Sequence, residues 1–208
     1  MTDANAETVL DLVGATKGHF LLESGYHSRL WLDLDSLFVD PARVLPLVKQ
    51  LAVSLRWYDV EGICGPLLGG AFLAQTLASI LETQFFFTER VMPRDGRGLY
   101  RTSYRLPAAI RDRMAGKRVA IVDDVNSAGS AVRGTFAELL TQNCHPVVIG
   151  SLLALGTQAE SFFQEQGLAV LSVTRHSFEL WLPAECPLCA ERVPLEDRVG
   201  FAQQESSS

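Results

Sequence analysis

KRVAIVDDVNSAGSAVRGTF, residues 117–136, begins as an apolar strand and ends as a helix, and its chemistry lies between the two. Arg118 to Val122 reads as a buried strand that terminates in two acids, Asp123 and Asp124. A loop of small residues follows, Asn126-Ser127-Ala128-Gly129-Ser130, and runs into the helical pattern SAVRGTFAELLTQN. Small residues let the backbone wrap closely, so several N–H groups can point at one phosphate while the helix N-terminus adds its positive end. Ser127 and Ser130 add hydroxyl donors. Carboxylates are poor phosphate ligands but good acceptors for sugar hydroxyls and partners for a cation, so the combination points to a phosphorylated sugar. Taken alone, the acids are equally well explained as an ordinary strand ending, and Gly-Ser as a helix start; the combined string is the specific signal.

Working outward, the pattern alternates. VEGICG, TQFFFTE, HPVVIGSLLAL and LAVLSVT read as strands; GGAFLAQTLASIL and QAESFFQEQ read as helices. Strands alternating with helices imply parallel β-α-β units and a mainly parallel central sheet flanked by helices, an α/β architecture whose ligands sit beyond the carboxyl ends of the strands. A second loop, Gly65-Pro66-Leu67-Leu68-Gly69-Gly70-Ala71, follows one such strand and opens a helix, again with free N–H groups for an anion. Upstream, a short helix is expected over roughly residues 6–13. HFLLESGYHSRLWLDLD then reads as a hairpin around Ser24-Gly25, and Asp40-Pro41 opens an amphipathic helix. The tail QQESSS is the only low-complexity piece.

With 208 residues and 48% apolar content, the chain can bury one good core. No run of about 18 apolar residues exists to span a bilayer, and the polar start MTDANAETVL is no signal peptide, so a cytoplasmic protein without membrane association is expected. The net charge of −6 argues against a nucleic-acid partner. Its distribution says more: from Arg90 to Arg118 nine basic residues face two acids, a local +7, which leaves −13 for the rest. A cationic segment on an acidic body suits a small polyanion better than a polymer, although an Arg-rich solvated loop would look the same. Four cysteines, Cys64, Cys144, Cys186 and Cys189, are too few for a disulfide framework and are expected to be reduced. Cys186 and Cys189 form a lone C-x-x-C that fits half a zinc site, a redox pair or two packed thiols. His19 and His27 are acid/base candidates or simply polar turn residues.

The 117–136 string resembles the motif of type I phosphoribosyltransferases that binds 5-phosphoribosyl 1-pyrophosphate (PRPP). Further stretches resemble the orotate branch: GHFLLESGYHS (18–28) with LFVDPARV (37–44) as its hood, FFFTER (85–90) leading to its mobile loop, and AECPLCAERVPLE (184–196) as a tail segment of one bacterial subgroup. The resemblance implies a single phosphoribosyltransferase domain over 1–208, with a hood from about 1–40 plus the C-terminal segment and a core of about 41–175. It implies transfer of a phosphoribosyl group from PRPP to a nucleobase, with Mg2+ bound through PRPP near Asp123 and Asp124, and a homodimer. Asp123 and Asp124 would meet the ribose, residues 126–130 the 5'-phosphate, and Leu67, Leu68, Gly69 and Gly70 the pyrophosphate. Arg90, Arg94 and Arg101 would serve catalysis from the loop, and Phe20, Glu23 and Trp31 would border the base.

Three departures from the orotate pattern stand out. No lysine lies between residues 88 and 108, Leu155-Gly156 stands where Asp-Arg is usual, and Glu23 adds negative charge before the hood turn. Arginine does not substitute freely for a mobile ammonium, and an anionic base without a cation is poorly held. By the overall resemblance orotate is still the leading base, while these departures are explained most simply by another base. A different base, or a PRPP-binding regulatory or catalytically degenerate homologue, is the alternative.

Overall fold

The computed structural model describes residues 9–10, 12–91 and 99–199. Two strands, β1 (Gly14–Leu21) and β2 (His27–Asp33), form the expected antiparallel hairpin. Its turn closes where Gly25 adopts φ +86° and donates to the Leu22 carbonyl at 2.9 Å. Asp40 then accepts the Ala42 amide and Pro41 opens helix α1 (Pro41–Leu55), whose Val44, Leu47, Val48, Leu51, Ala52 and Leu55 face inward. The order continues β3 (Gly62–Pro66), α2 (Gly69–Leu81), β4 (Gln84–Val91), β5 (Ser103–Arg105) and α3 (Ala108–Met114). Next come β6 (Arg118–Asn126), α4 (Ser130–Thr141), β7 (His145–Leu155), α5 (Gln158–Glu165), β8 (Ala169–His176) and the short α6 (Pro187–Ala190). Of the helix expected over residues 6–13, half lies outside the described residues.

The main sheet has the order β5-β4-β3-β6-β7-β8; β5 pairs antiparallel with β4, and the other pairings are parallel. Period-two alternation on a strand covered on both faces splits its side chains between two cores. On β6, Ala120 and Val122 join α1 and α2, while Val119 and Ile121 join Val132 and Leu139 of α4 and Phe163 of α5. Each fully buried side chain of this size contributes roughly 1.5–3 kcal/mol of burial free energy.

Two elements depart from the sequence reading. The Arg-rich stretch is not loop throughout: its later part forms β5 and α3, because Tyr104, Leu106 and Met114 are buried between outward-facing arginines. Strand β6 runs past the acids to Asn126 instead of ending at them, since its partner β7 continues in register through Asn126↔Ala154. The C-terminal segment folds back onto the hairpin. Leu21 N donates to Glu196 O at 2.9 Å, Glu196 N to His19 O at 2.8 Å, and His27 and Trp181 exchange two backbone bonds. Among the described residues no helix is long and apolar enough to cross a membrane.

Candidate active site

The carboxyl ends of β3 and β6, the topological centre of the sheet, open into a cavity of about 460 Å³ capped by the hairpin and the C-terminal segment. Asp123 and Asp124 line it side by side. Each turns partly back on its own chain: Asp123 Oδ1 accepts the Asp124 amide at 3.1 Å, and Asp124 Oδ1 accepts the Val125 amide at 2.7 Å. Burial, then the neighbouring Asp124 charge, pushes the Asp123 carboxyl well above the usual carboxylate range. Two buried, adjacent carboxylates are oxygen donors suited to sugar hydroxyls or a divalent cation, so the donor set fits Mg2+ bound together with a sugar.

The glycine loop is built against these acids. A Cβ on Gly69 would lie 2.0 Å from Asp124 Oδ2, and one on Gly70 would lie 2.7 Å from Asp123 Oδ1. A Cβ on Gly65 would meet the Gly70 carbonyl at 2.0 Å, so the loop's fold and its approach to the acids both require these glycines. Leu67 and Leu68 project outward and are exposed at the cavity mouth.

On the far side of the acids, Asn126, Ser127, Gly129 and Ser130 line the cavity at the start of α4. Gly129 is left-handed, with φ +81°, and is the residue that turns the chain into the helix. Asn126 is buried and its Oδ1 has no hydrogen-bond partner. With the amide turned over, the same position presents two N–H donors. Ala128 lies beneath the loop rather than on the cavity wall, and its carbonyl accepts from Tyr100 at 3.3 Å. Gly70 is likewise buried behind the wall.

The hairpin supplies Trp31 and Glu23 to the cavity but not Phe20, which is fully buried. Phe20 does not border the site because β1 turns its ring inward, 6.1 Å from Trp31 and under the Arg198 guanidinium at 4.7 Å. Glu23 does not stand as an uncompensated charge: Tyr104 donates to it at 2.8 Å and Arg90 pairs with it at 3.4 Å. Arg90 therefore lines the cavity tied to the hood, Arg101 stands outside the lining, and Arg94 lies outside the described residues. The segment resumes beside the site, where the Tyr100 amide donates to Ser24 O at 2.9 Å.

Sequence reasoning missed Asp33, Phe178 and Arg198, all of which line the cavity. Arg198 carries no local signal: it arrives from the C-terminal segment and spreads over Phe20 and Trp31 while donating to Glu196 at 3.1–3.2 Å.

No family model matches the chain. It is 30% identical over 192 residues to the orotate phosphoribosyltransferase of Thermotoga petrophila, covering 90% of this chain and 94% of that one. The chain belongs to the orotate phosphoribosyltransferase family. The Thermotoga maritima member is 29% identical over 189 residues with the same coverage. Among solved structures, orotate phosphoribosyltransferase from Aeropyrum pernix superposes with a TM-score of 0.60 at 19% identity, covering 82% of this chain and 93% of its own. Adenine phosphoribosyltransferase from Thermoanaerobacter pseudethanolicus superposes at 0.62 and 16% identity, covering 82% and 99%. Membership makes the chain a phosphoribosyl-transferring enzyme, and the shared fold spans branches of the family that differ in base.

Proposed function

We propose that this enzyme transfers the 5-phosphoribosyl group of PRPP to orotate, giving orotidine 5'-phosphate and pyrophosphate. The bond from C1' to the pyrophosphate oxygen breaks, a bond from C1' to a ring nitrogen of the base forms, and that nitrogen gives up its proton. One observation carries the reading: the acid pair, the small-residue loop at α4, the glycine loop and a hood bearing a cation all converge on one cavity.

In this reading Asp123 and Asp124 accept the ribose hydroxyls, the 126–130 loop holds the 5'-phosphate, and the 67–70 loop receives the pyrophosphate. Asp123 and Asp124 lie near where Mg2+ would be held through PRPP, and the ion would supply charge neutralisation at the leaving group. The cavity-lining residues act in this reading by orientation, exclusion of water and charge stabilisation, with no covalent intermediate. By the family resemblance the arginines between 90 and 101 would offset the pyrophosphate charge, and of these Arg90 lines the cavity. Base choice rests on Arg198. Orotate is a carboxylated ring, and Arg198 provides a planar cation beside Trp31 that the Leu155-Gly156 position lacks. We also infer that the protein acts as a homodimer in the cytoplasm, with the hood as part of one domain with the core.

The test is pyrophosphate release from PRPP with Mg2+ and each base in turn. Release that requires orotate supports the reading. Release with another base only shifts the specificity, and tight PRPP binding without release on any base identifies a regulatory homologue.

A further inference from the structure

Away from the cavity, four side chains that the sequence leaves in three separate places meet at one point. His19 comes from β1, His27 from β2, and Cys186 and Cys189 from the segment around α6. Their ligand atoms all lie within 4.8 Å of one another. His19 Nε2 is 3.1 Å from His27 Nδ1, 3.4 Å from Cys186 Sγ and 3.7 Å from Cys189 Sγ, and Cys189 Sγ is 3.3 Å from His27 Nδ1. With Zn–S near 2.3 Å and Zn–N near 2.0–2.1 Å, tetrahedral ligands stand about 3.3–3.8 Å apart. Three of these four spacings fall in that range and the His19–His27 spacing is slightly shorter, close to the edges of such a tetrahedron. We propose that His19, His27, Cys186 and Cys189 bind one structural Zn2+ that clasps the C-terminal segment to the hood hairpin.

The surroundings are those of a largely shielded structural site: His19, His27 and Cys186 are buried, Cys189 is exposed, and both cysteines are free thiols. His19 Nδ1–H donates to the Val193 carbonyl at 2.9 Å, which fixes the tautomer and leaves the Nε2 lone pair aimed at the cluster. Two thiolates and two neutral imidazoles balance the charge of Zn2+, whereas hydrogen bonding between the histidines alone gives no reason for both sulfurs to converge on them.

The energetics explain why a metal is needed here. From residue 177 to 199 only Cys186 is buried, and the helical pieces are three and four residues long. Such pieces do not form alone, and Leu182, Val193 and Leu195 stay exposed instead of building a core. In a segment of this kind a structural metal supplies the folding free energy that packing does not. The clasp also bears on the cavity, because the same segment delivers Arg198 and the hairpin delivers Glu23 and Trp31.

The test uses the full chain produced with zinc and purified under reducing conditions without chelator. Mass spectrometry of the metal is expected to give one zinc per chain. Chelator-stripped protein titrated with Co2+ is expected to show the visible bands of tetrahedral cobalt and thiolate charge transfer. Cys186→Ser and His19→Gln should each lose the bound metal, while Cys64→Ser should keep it. Stripping should release the amides of Leu21 and His27 to hydrogen exchange without exposing β6. The wild-type cobalt spectrum decides the matter even where a variant misfolds. Zinc far below one per chain with no cobalt spectrum overturns the proposal, as does a Cys186–Cys189 disulfide in the purified protein or full zinc retention in both ligand variants. None of these readouts depends on which base the enzyme uses.

Discussion

Replacing Asp124 with asparagine should move activity and stability in opposite directions. Asn keeps the volume and an oxygen that can accept the Val125 amide, which Asp124 now holds at 2.7 Å, so the local backbone has no reason to rearrange. What changes is charge. A hydrogen bond to an ionised acceptor contributes about 1.5–3 kcal/mol, and each 1.4 kcal/mol corresponds to about tenfold, so losing the charged acceptor for one ribose hydroxyl should lower kcat/KM for PRPP by roughly 10- to 150-fold. In the unliganded protein the same change removes the second-largest cause of the raised Asp123 pKa, the neighbouring Asp124 charge. Asp123 then ionises more easily within the fold, so the variant should resist urea better than wild type above the ordinary carboxylate range. Steady-state kinetics with varied PRPP and urea midpoints at neutral pH read both effects. Unchanged kcat/KM would remove Asp124 from the ribose site. Loss of activity together with loss of stability would show that the acids hold the fold together instead.

Arg198→Ala should raise KM for orotate by about tenfold or more, the scale of one lost charge-assisted contact, while leaving PRPP affinity near wild type; equal effects on both substrates would place Arg198 in general hood stability. In Gly69→Ala the new methyl would stand 2.0 Å from Asp124 Oδ2, so the acid must move, and turnover should fall at least about tenfold with an unchanged far-UV spectrum. Because burial and Asp124 raise the Asp123 pKa, the folded apoprotein holds a proton that the unfolded chain has released between the ordinary carboxylate range and the raised value. Stability should therefore decline as pH rises through that window and level off above it. Binding of PRPP with Mg2+ should expel this proton across the same window, and calorimetry in buffers of different ionisation enthalpy would detect it; buffer-independent heats would exclude Asp123 as the group.

The parts of this protein that depend on neighbouring residues in the chain were legible in its sequence. The strand, the acid pair, Gly129 and the helix behind them occupy one continuous stretch; a continuous apolar run located β7, covered on both faces, and a period-3.6 apolar pattern located α1. The glycines of the 65–70 loop could be read as an anion loop, but only the folded chain shows that Asp124 and Asp123 press against Gly69 and Gly70 and that the Gly70 backbone presses against Gly65. Strand β5 and helix α3 escaped notice because their burial is carried by Tyr104, Leu106 and Met114 within a run of arginines, where charge masks the pattern. Phe20 could not be told from Trp31 by sequence, since which face of a two-stranded hairpin is covered depends on what folds back over it. The same return of the C-terminal segment decided the rest. It brought Arg198 to the cavity and joined a lone C-x-x-C to two histidines about 160–170 residues away. Such long-range meetings leave no local trace, because ligand geometry is fixed in space and the spacing between its parts in sequence is free.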